Sequence, residues 1–185
     1  MRDTPDRHQG DKIAISLYEF YAMGINTLLV KAPWEADERV SAYHESFLYE
    51  QRLVALSVLF LMGEEYVPTA TLRTMPGKYR DQVRHSVNLA VFTRALKHHY
   101  RQLASGNEVA DQMIRRMEAY VDIMRQANHQ EDDPLETVTM MLAKRVPPQT
   151  ERQLELYQKR IDKIFEYTET LVKRSVYEKY TITEL

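Results

Sequence analysis

Between Ile13 and Val30 the chain reads IAISLYEFYAMGINTLLV, eighteen residues in which Glu19 is the only formal charge and Asn26 the only amide. Ile13, Leu17, Phe20, Gly24 and Leu28 fall on one helical stripe, and Ile15, Tyr18, Ala22, Ile25 and Leu29 on a second. Side chains three and four apart share a helical face, so a helix here has little left to turn toward water. The stretch predicts a buried helix at the centre of the fold. A carboxylate inside it requires a partner or a proton, which makes Glu19 the first candidate functional residue. Eighteen residues also approach the minimum for a membrane span. With Glu19 mid-segment and Ser16, Asn26 and Thr27 around it, the stretch reads as a core helix and not as a membrane helix, because an isolated carboxylate in hydrocarbon is costly.

The remainder is punctuated like a chain of helices. Its five glycines and seven prolines fall almost entirely between segments of three-four apolar spacing. Lys31-Ala32-Pro33 restarts the chain, and a second helix is expected from about Pro33 to Met62, with Val40, Tyr43, Phe47, Glu50, Val54, Ser57/Val58 and Leu61 on its seam and Gly63 as C-terminal cap. Residues 63 to 78 hold two prolines and two glycines without a sustained period and read as a long loop. A third helix is expected over Tyr79 to Ser105, with His85, Leu89, Phe92, Leu96, His99 and Leu103 on its stripe. Gly106 closes it, and Asn107 opens a fourth that runs to about Gln130 with Val109, Met113, Met117, Tyr120 and Met124 inward. Asp133, Pro134 and Glu136 form the start signature of a short fifth helix ending near Arg145. After Pro147-Pro148, Thr150 and Gln153 form a capping box for a last helix to about Tyr180, roughly 45 Å long at about 1.5 Å per residue. Strand signals are weak throughout. The expected fold is all-α, a bundle of five to six helices with a long C-terminal helix. It occupies 12–185 as one domain behind a flexible lead-in over 1–11, with a candidate hinge at 146–149.

Composition narrows the chemistry. The chain has no cysteine, which removes disulfides, thiolate zinc sites and thiol nucleophiles and suits a reducing, cytoplasmic setting. The opening MRDTPDRHQGD lacks the basic-then-apolar order of a secretory signal. A di-metal carboxylate bundle requires two Glu-x-x-His pairs, and no histidine here has a glutamate three residues before it. Glycine-rich phosphate loops and a Gly-x-Ser-x-Gly elbow are also missing. Glu35 with Glu38 and Glu108 with Asp111 share helical faces in the way magnesium-binding pairs do, but acids in a first helical turn serve the helix dipole without any metal. No cofactor or metal is implied.

Charge is distributed in blocks. Residues 33–66 carry two basic and seven acidic side chains, net −5; residues 70–104 carry seven and one, net +6; residues 105–136 carry three and eight, net −5. The basic block gathers Arg80, Arg84, Arg94, Lys97 and Arg101 on one side of the third helix, a face that either packs on acidic neighbours or meets a polyanion.

Three functional expectations follow. The first is a non-enzymatic protein acting by helix-mediated association, with itself or with a protein partner, through the last helix (Tyr157, Ile161, Ile164, Leu171) or the 63–78 loop. The second is a nucleic-acid-associated regulator using the basic face. The third is a ligand-binding domain or enzyme built on a buried polar cluster of Glu19, Glu50, His85 and His99, four ionisable groups on core-facing stripes. In that arrangement Glu19 lies against one of the two histidines, with Glu50 competing for them.

Overall fold

The computed structural model describes residues 12–30, 44–68, 72–73, 76–130, 132–173 and 178–185. In chain order these form β1 (Ile13–Ser16), α1 (Leu17–Val30), α2 (His44–Glu64), α3 (Gly77–His99), α4 (Gly106–Gln130), α5 (Pro134–Arg145), α6 (Glu151–Val172) and β2 (Tyr180–Glu184). The all-α bundle expected from periodicity is what the chain adopts, with six helices among the described residues and one two-stranded sheet. The expected lead-in over 1–11 and the opening of the second helix over 33–43, including Glu35, Glu38, Val40 and Tyr43, lie outside the described residues.

The helix without a face toward water is α2. Every residue from Leu53 to Phe60 is buried, because α2 packs on α1, α3, α4 and α6 together. It is the one described helix long and apolar enough to cross a membrane, and 67% of that stretch is buried inside the protein. The segment from 13 to 30 is more divided than its sequence suggested. Its first four residues form β1, and the helix starts at Leu17 because Ser16 and Glu19 make a reciprocal capping box. The Ser16 N–H donates to Glu19 Oε2 at 2.8 Å, and the Glu19 N–H donates to Ser16 Oγ at 3.1 Å. Leu17, Phe20, Tyr21, Gly24, Ile25 and Leu28 face inward, while Glu19, Met23, Asn26 and Val30 are exposed.

Two further boundaries moved. α3 ends at His99, and turns carry the chain to Gly106, where a Cβ would come 2.0 Å from the Tyr100 carbonyl oxygen. Leu103, assigned to the third-helix seam, is therefore exposed. α6 stops at Val172 instead of Tyr180, and residues 180–184 pair in parallel with β1, Ile13 opposite Tyr180 and Ile15 opposite Ile182. The predicted caps of the last two helices are in place: Asp133 accepts from the Leu135 N–H at 2.9 Å and Thr150 from the Gln153 N–H at 3.3 Å.

One close approach holds α1, α2 and α3 together. The buried Tyr21 hydroxyl donates to Asn88 Oδ1, and both Tyr21 Oη and Asn88 Nδ2 lie 3.1 Å from the Phe60 carbonyl oxygen. Burial pushes the Tyr21 phenol well above its ordinary range. Gly63 is not the C-terminal cap its position suggested, since α2 continues to Glu64. It is the floor under Tyr21, where a Cβ would sit 2.1 Å from the hydroxyl oxygen. Gly63→Ala is expected to destabilise the fold by about 1–3 kcal/mol through overpacking, read as a lower urea midpoint.

Candidate functional site

The largest buried ionic cluster in the described residues forms around Glu50. This residue sits on the inner seam of α2 and is 1% exposed. A lone carboxylate at that depth is costly, and three donors converge on it. Arg116 and Tyr120, one turn apart on α4, contribute a guanidinium Nη2 and a hydroxyl at 2.7 Å, and Arg145 from the last turn of α5 contributes Nη1 at 2.9 Å. Arg145 lies 4.7 Å above the Tyr120 ring and Arg116 5.3 Å above the Tyr49 ring. Burial and the hydrogen bond to Glu50 push the Tyr120 phenol far up, so it stays protonated. Burial works against the Arg145 cation, but the Glu50 hydrogen bond and the nearby Tyr120 and Glu50 groups prevail and hold it above its ordinary value. Burial also raises the Tyr49 phenol, against the pull of Arg116.

A second meeting point joins α2, α3 and α4. Arg125 Nη2 donates to Glu64 Oε2 and lies 3.0 Å from His85 Nδ1, and Glu64 Oε1 is 3.8 Å from the same ring nitrogen. His85 also stands edge-on to Phe60, 5.6 Å between ring centres, beside an open polar cleft of about 610 Å³.

The four groups predicted to meet do not. Glu19 is exposed and caps its own helix, so it lies against neither histidine. Its place in the first turn of α1 satisfies the Ser16 N–H and the positive helix end, which a mid-helix position could not. Glu50 takes arginines instead of histidines. His85 pairs with Glu64 and Arg125, and His99 makes an edge contact with Tyr100 at 4.9 Å. The basic face is partly spent inside the molecule. Arg94 lies 4.4 Å over the Tyr18 ring, Lys97 is 2.8 Å from Asp111 of α4, and Arg84 is 3.7 Å from Asp81. Arg80 and Arg101 are exposed. The Glu108 and Asp111 pair is thus half engaged by Lys97, and no described group of three His, Asp or Glu side chains could hold a metal.

The residues expected to form an interface on the last helix are core. Tyr157 stacks on Phe47 at 4.3 Å, Ile161 and Ile164 are fully buried, and Leu171 is partly buried against the core. They share the apolar stripe of α6, and α2 covers that stripe within the same chain. Part of the outer face of α1 is left in water, where Met23 is 38% and Val30 63% exposed. Met23, Asn26 and Thr27 of that helix, with Leu171, Lys179 and Tyr180, line a shallow groove of about 350 Å³.

Comparison with protein-family models, with curated proteins and with solved structures returns no match. The residues that sequence reasoning missed are the cationic partners Arg116, Arg125 and Arg145. The available signal was indirect: a seam carboxylate at Glu50 demanded cations, and Arg116 stands four residues before inward Tyr120.

Glu50→Leu would leave two guanidiniums and a buried hydroxyl without their acceptor. It is expected to destabilise the protein by about 3 kcal/mol, the lower end for a broken buried pair because Arg116 can turn to water. Pairing it with Arg145→Met is expected to recover part of that loss in urea unfolding. His99 gives a pH signature. Burial lowers its imidazole below the ordinary 6.5, so the folded protein binds that proton less readily than the unfolded chain. This share of stability is in place above 6.5 and declines as the pH falls from there through the lowered folded value. His99→Gln should flatten the urea midpoint against pH between about 7 and 5 relative to the parent.

Proposed function

We propose that this chain works by pairing with a second copy of itself through the outer face of α1. The observation that carries the reading is the solvent stripe Glu19, Met23, Asn26 and Val30, whose four-three-four spacing puts two large apolar side chains and one amide on a single exposed helical face. Exposed apolar patches with polar rims are characteristic of contact surfaces. The stripe is also suited to a two-fold pair, in which each element meets its own copy. Asn26 both donates and accepts, so two copies can bond across the axis, and each Met23 packs beside it. Glu19 lies at one end of the stripe and Lys179 lines the neighbouring groove, which supplies opposite charges for the rim.

The nucleic-acid reading has less support, since Arg94 and Lys97 already have an aromatic and an acidic partner within the fold. The net charge of −2 adds nothing in its favour.

Size-exclusion chromatography with light scattering tests the proposal. The expected mass at about 100 µM is twice that of the chain, and Met23→Glu with Val30→Glu should return it to the single-chain mass with the same circular dichroism. A parent protein that stays monomeric at that concentration, or a variant that stays dimeric, overturns it.

A further inference from the structure

The carboxylate of Glu50 is paired with one cation more than it can neutralise. Arg116 and Arg145 both donate to it, and the third donor, the Tyr120 hydroxyl, stays neutral. Two guanidiniums on one carboxylate leave a formal charge of +1 at the junction of α2, α4 and α5. Among the described residues no second carboxylate pairs with either arginine, and their remaining contacts are ring faces, Tyr49 for Arg116 and Tyr120 for Arg145. The excess sits where the cluster reaches solvent, with Arg116 half-exposed, and a fixed positive charge there attracts an anion.

The two arginines differ in how they meet solvent. The Arg145 side chain is 22% exposed and spans between Glu50 and the Tyr120 ring. The Arg116 side chain is 50% exposed and reaches Glu50 through Nη2 alone, so its other N–H donors remain available on the solvent side. The Glu50 carboxylate, itself 1% exposed and held from three sides, fixes the guanidinium while the Tyr49 ring supports its plane. An arginine fork immobilised in this way has already lost the rotamer freedom that ligand binding would otherwise cost.

We propose that Arg116 and Arg145, ordered by Glu50, form a binding site for a singly charged oxyanion, a carboxylate or a phosphodiester. The single uncompensated charge sets the ligand's charge, and the planar fork of Arg116 sets its geometry, because two N–H groups of one guanidinium match two oxygens of one acid group. A cation is repelled by the same excess. Arg145 acts behind Arg116 by adding charge, and Glu50 acts as a positioning residue. The site is separate from the α1 face and stands independently of self-association.

Thermal unfolding of the full chain, with sodium acetate and sodium dimethyl phosphate as probes against sodium chloride at equal ionic strength, tests the site. The parent midpoint should rise in a saturable way with at least one probe, as expected when a ligand binds only the folded state. The probe that acts distinguishes a carboxylate from a phosphodiester ligand, and a response to both identifies the shared oxyanion chemistry. In Arg116→Gln the saturable rise should disappear, whereas general salt exclusion from the surface acts on both proteins alike. Should that variant not fold, Arg116→Lys keeps the charge and the ion pair but loses the fork, and its apparent affinity should fall by about tenfold or more. The proposal is overturned if neither probe exceeds chloride in the parent, or if the folded variant responds as the parent does.

Discussion

A helix with no face toward water must have its polar groups answered by its neighbours, and α2 is that helix. Apolar burial brings the surrounding helices onto it, but burial has no preferred direction and does not set their register. Register comes from the polar ties along its length. Glu50 binds it to α4 and α5, Ser57 donates to the Met117 carbonyl of α4 at 3.3 Å, the Phe60 carbonyl receives groups from α1 and α3, and Glu64 meets Arg125 and His85. Three of these ties reach α4 and the others reach α1, α3 and α5, and the fully buried ones would be costly to leave unmade. The order of helices around α2 therefore follows from a few buried polar groups acting within an apolar shell.

The same logic explains which charges became structural. Acidic and basic helices alternate along the chain, and where α3 meets α4 their signs are opposite, as in the Lys97 and Asp111 contact. That pair is partly exposed and contributes little to stability. What it does is occupy charge that would otherwise be offered outward. At Glu50 the outcome is reversed: two arginines crowd one carboxylate, and the surplus charge remains at the surface of the cluster. The two readings of function rest on these leftovers, an exposed apolar stripe on α1 and two guanidiniums that share a single carboxylate.

Much of the architecture was legible in the residues themselves. The capping signatures Asp133-Pro134 and Thr150 with Gln153 mark helix starts through hydrogen bonds spanning two or three residues, so they survive whatever packs nearby. Ser16 and Glu19 carry the same signature, and its apolar setting disguised it: Glu19 read as a buried acid because the stripe around it is apolar, when its spacing from Ser16 already gave it a local partner. β1 and β2 were not legible, because neither segment is a strand by itself; each becomes one by pairing with a segment more than 160 residues away.

The sequence by itself determined that this chain is a helical bundle, where most helices start, and that Glu50 lies on a core-facing seam. Periodicity and capping are local, and local interactions are encoded within a few residues. Only the tertiary structure decided which helix is enclosed, which apolar stripe stays in water, and which cations answer Glu50. Arg116 and Arg145 stand 66 and 95 residues from it, and what brings them together is the crossing of three helices, a quantity that no window of sequence contains.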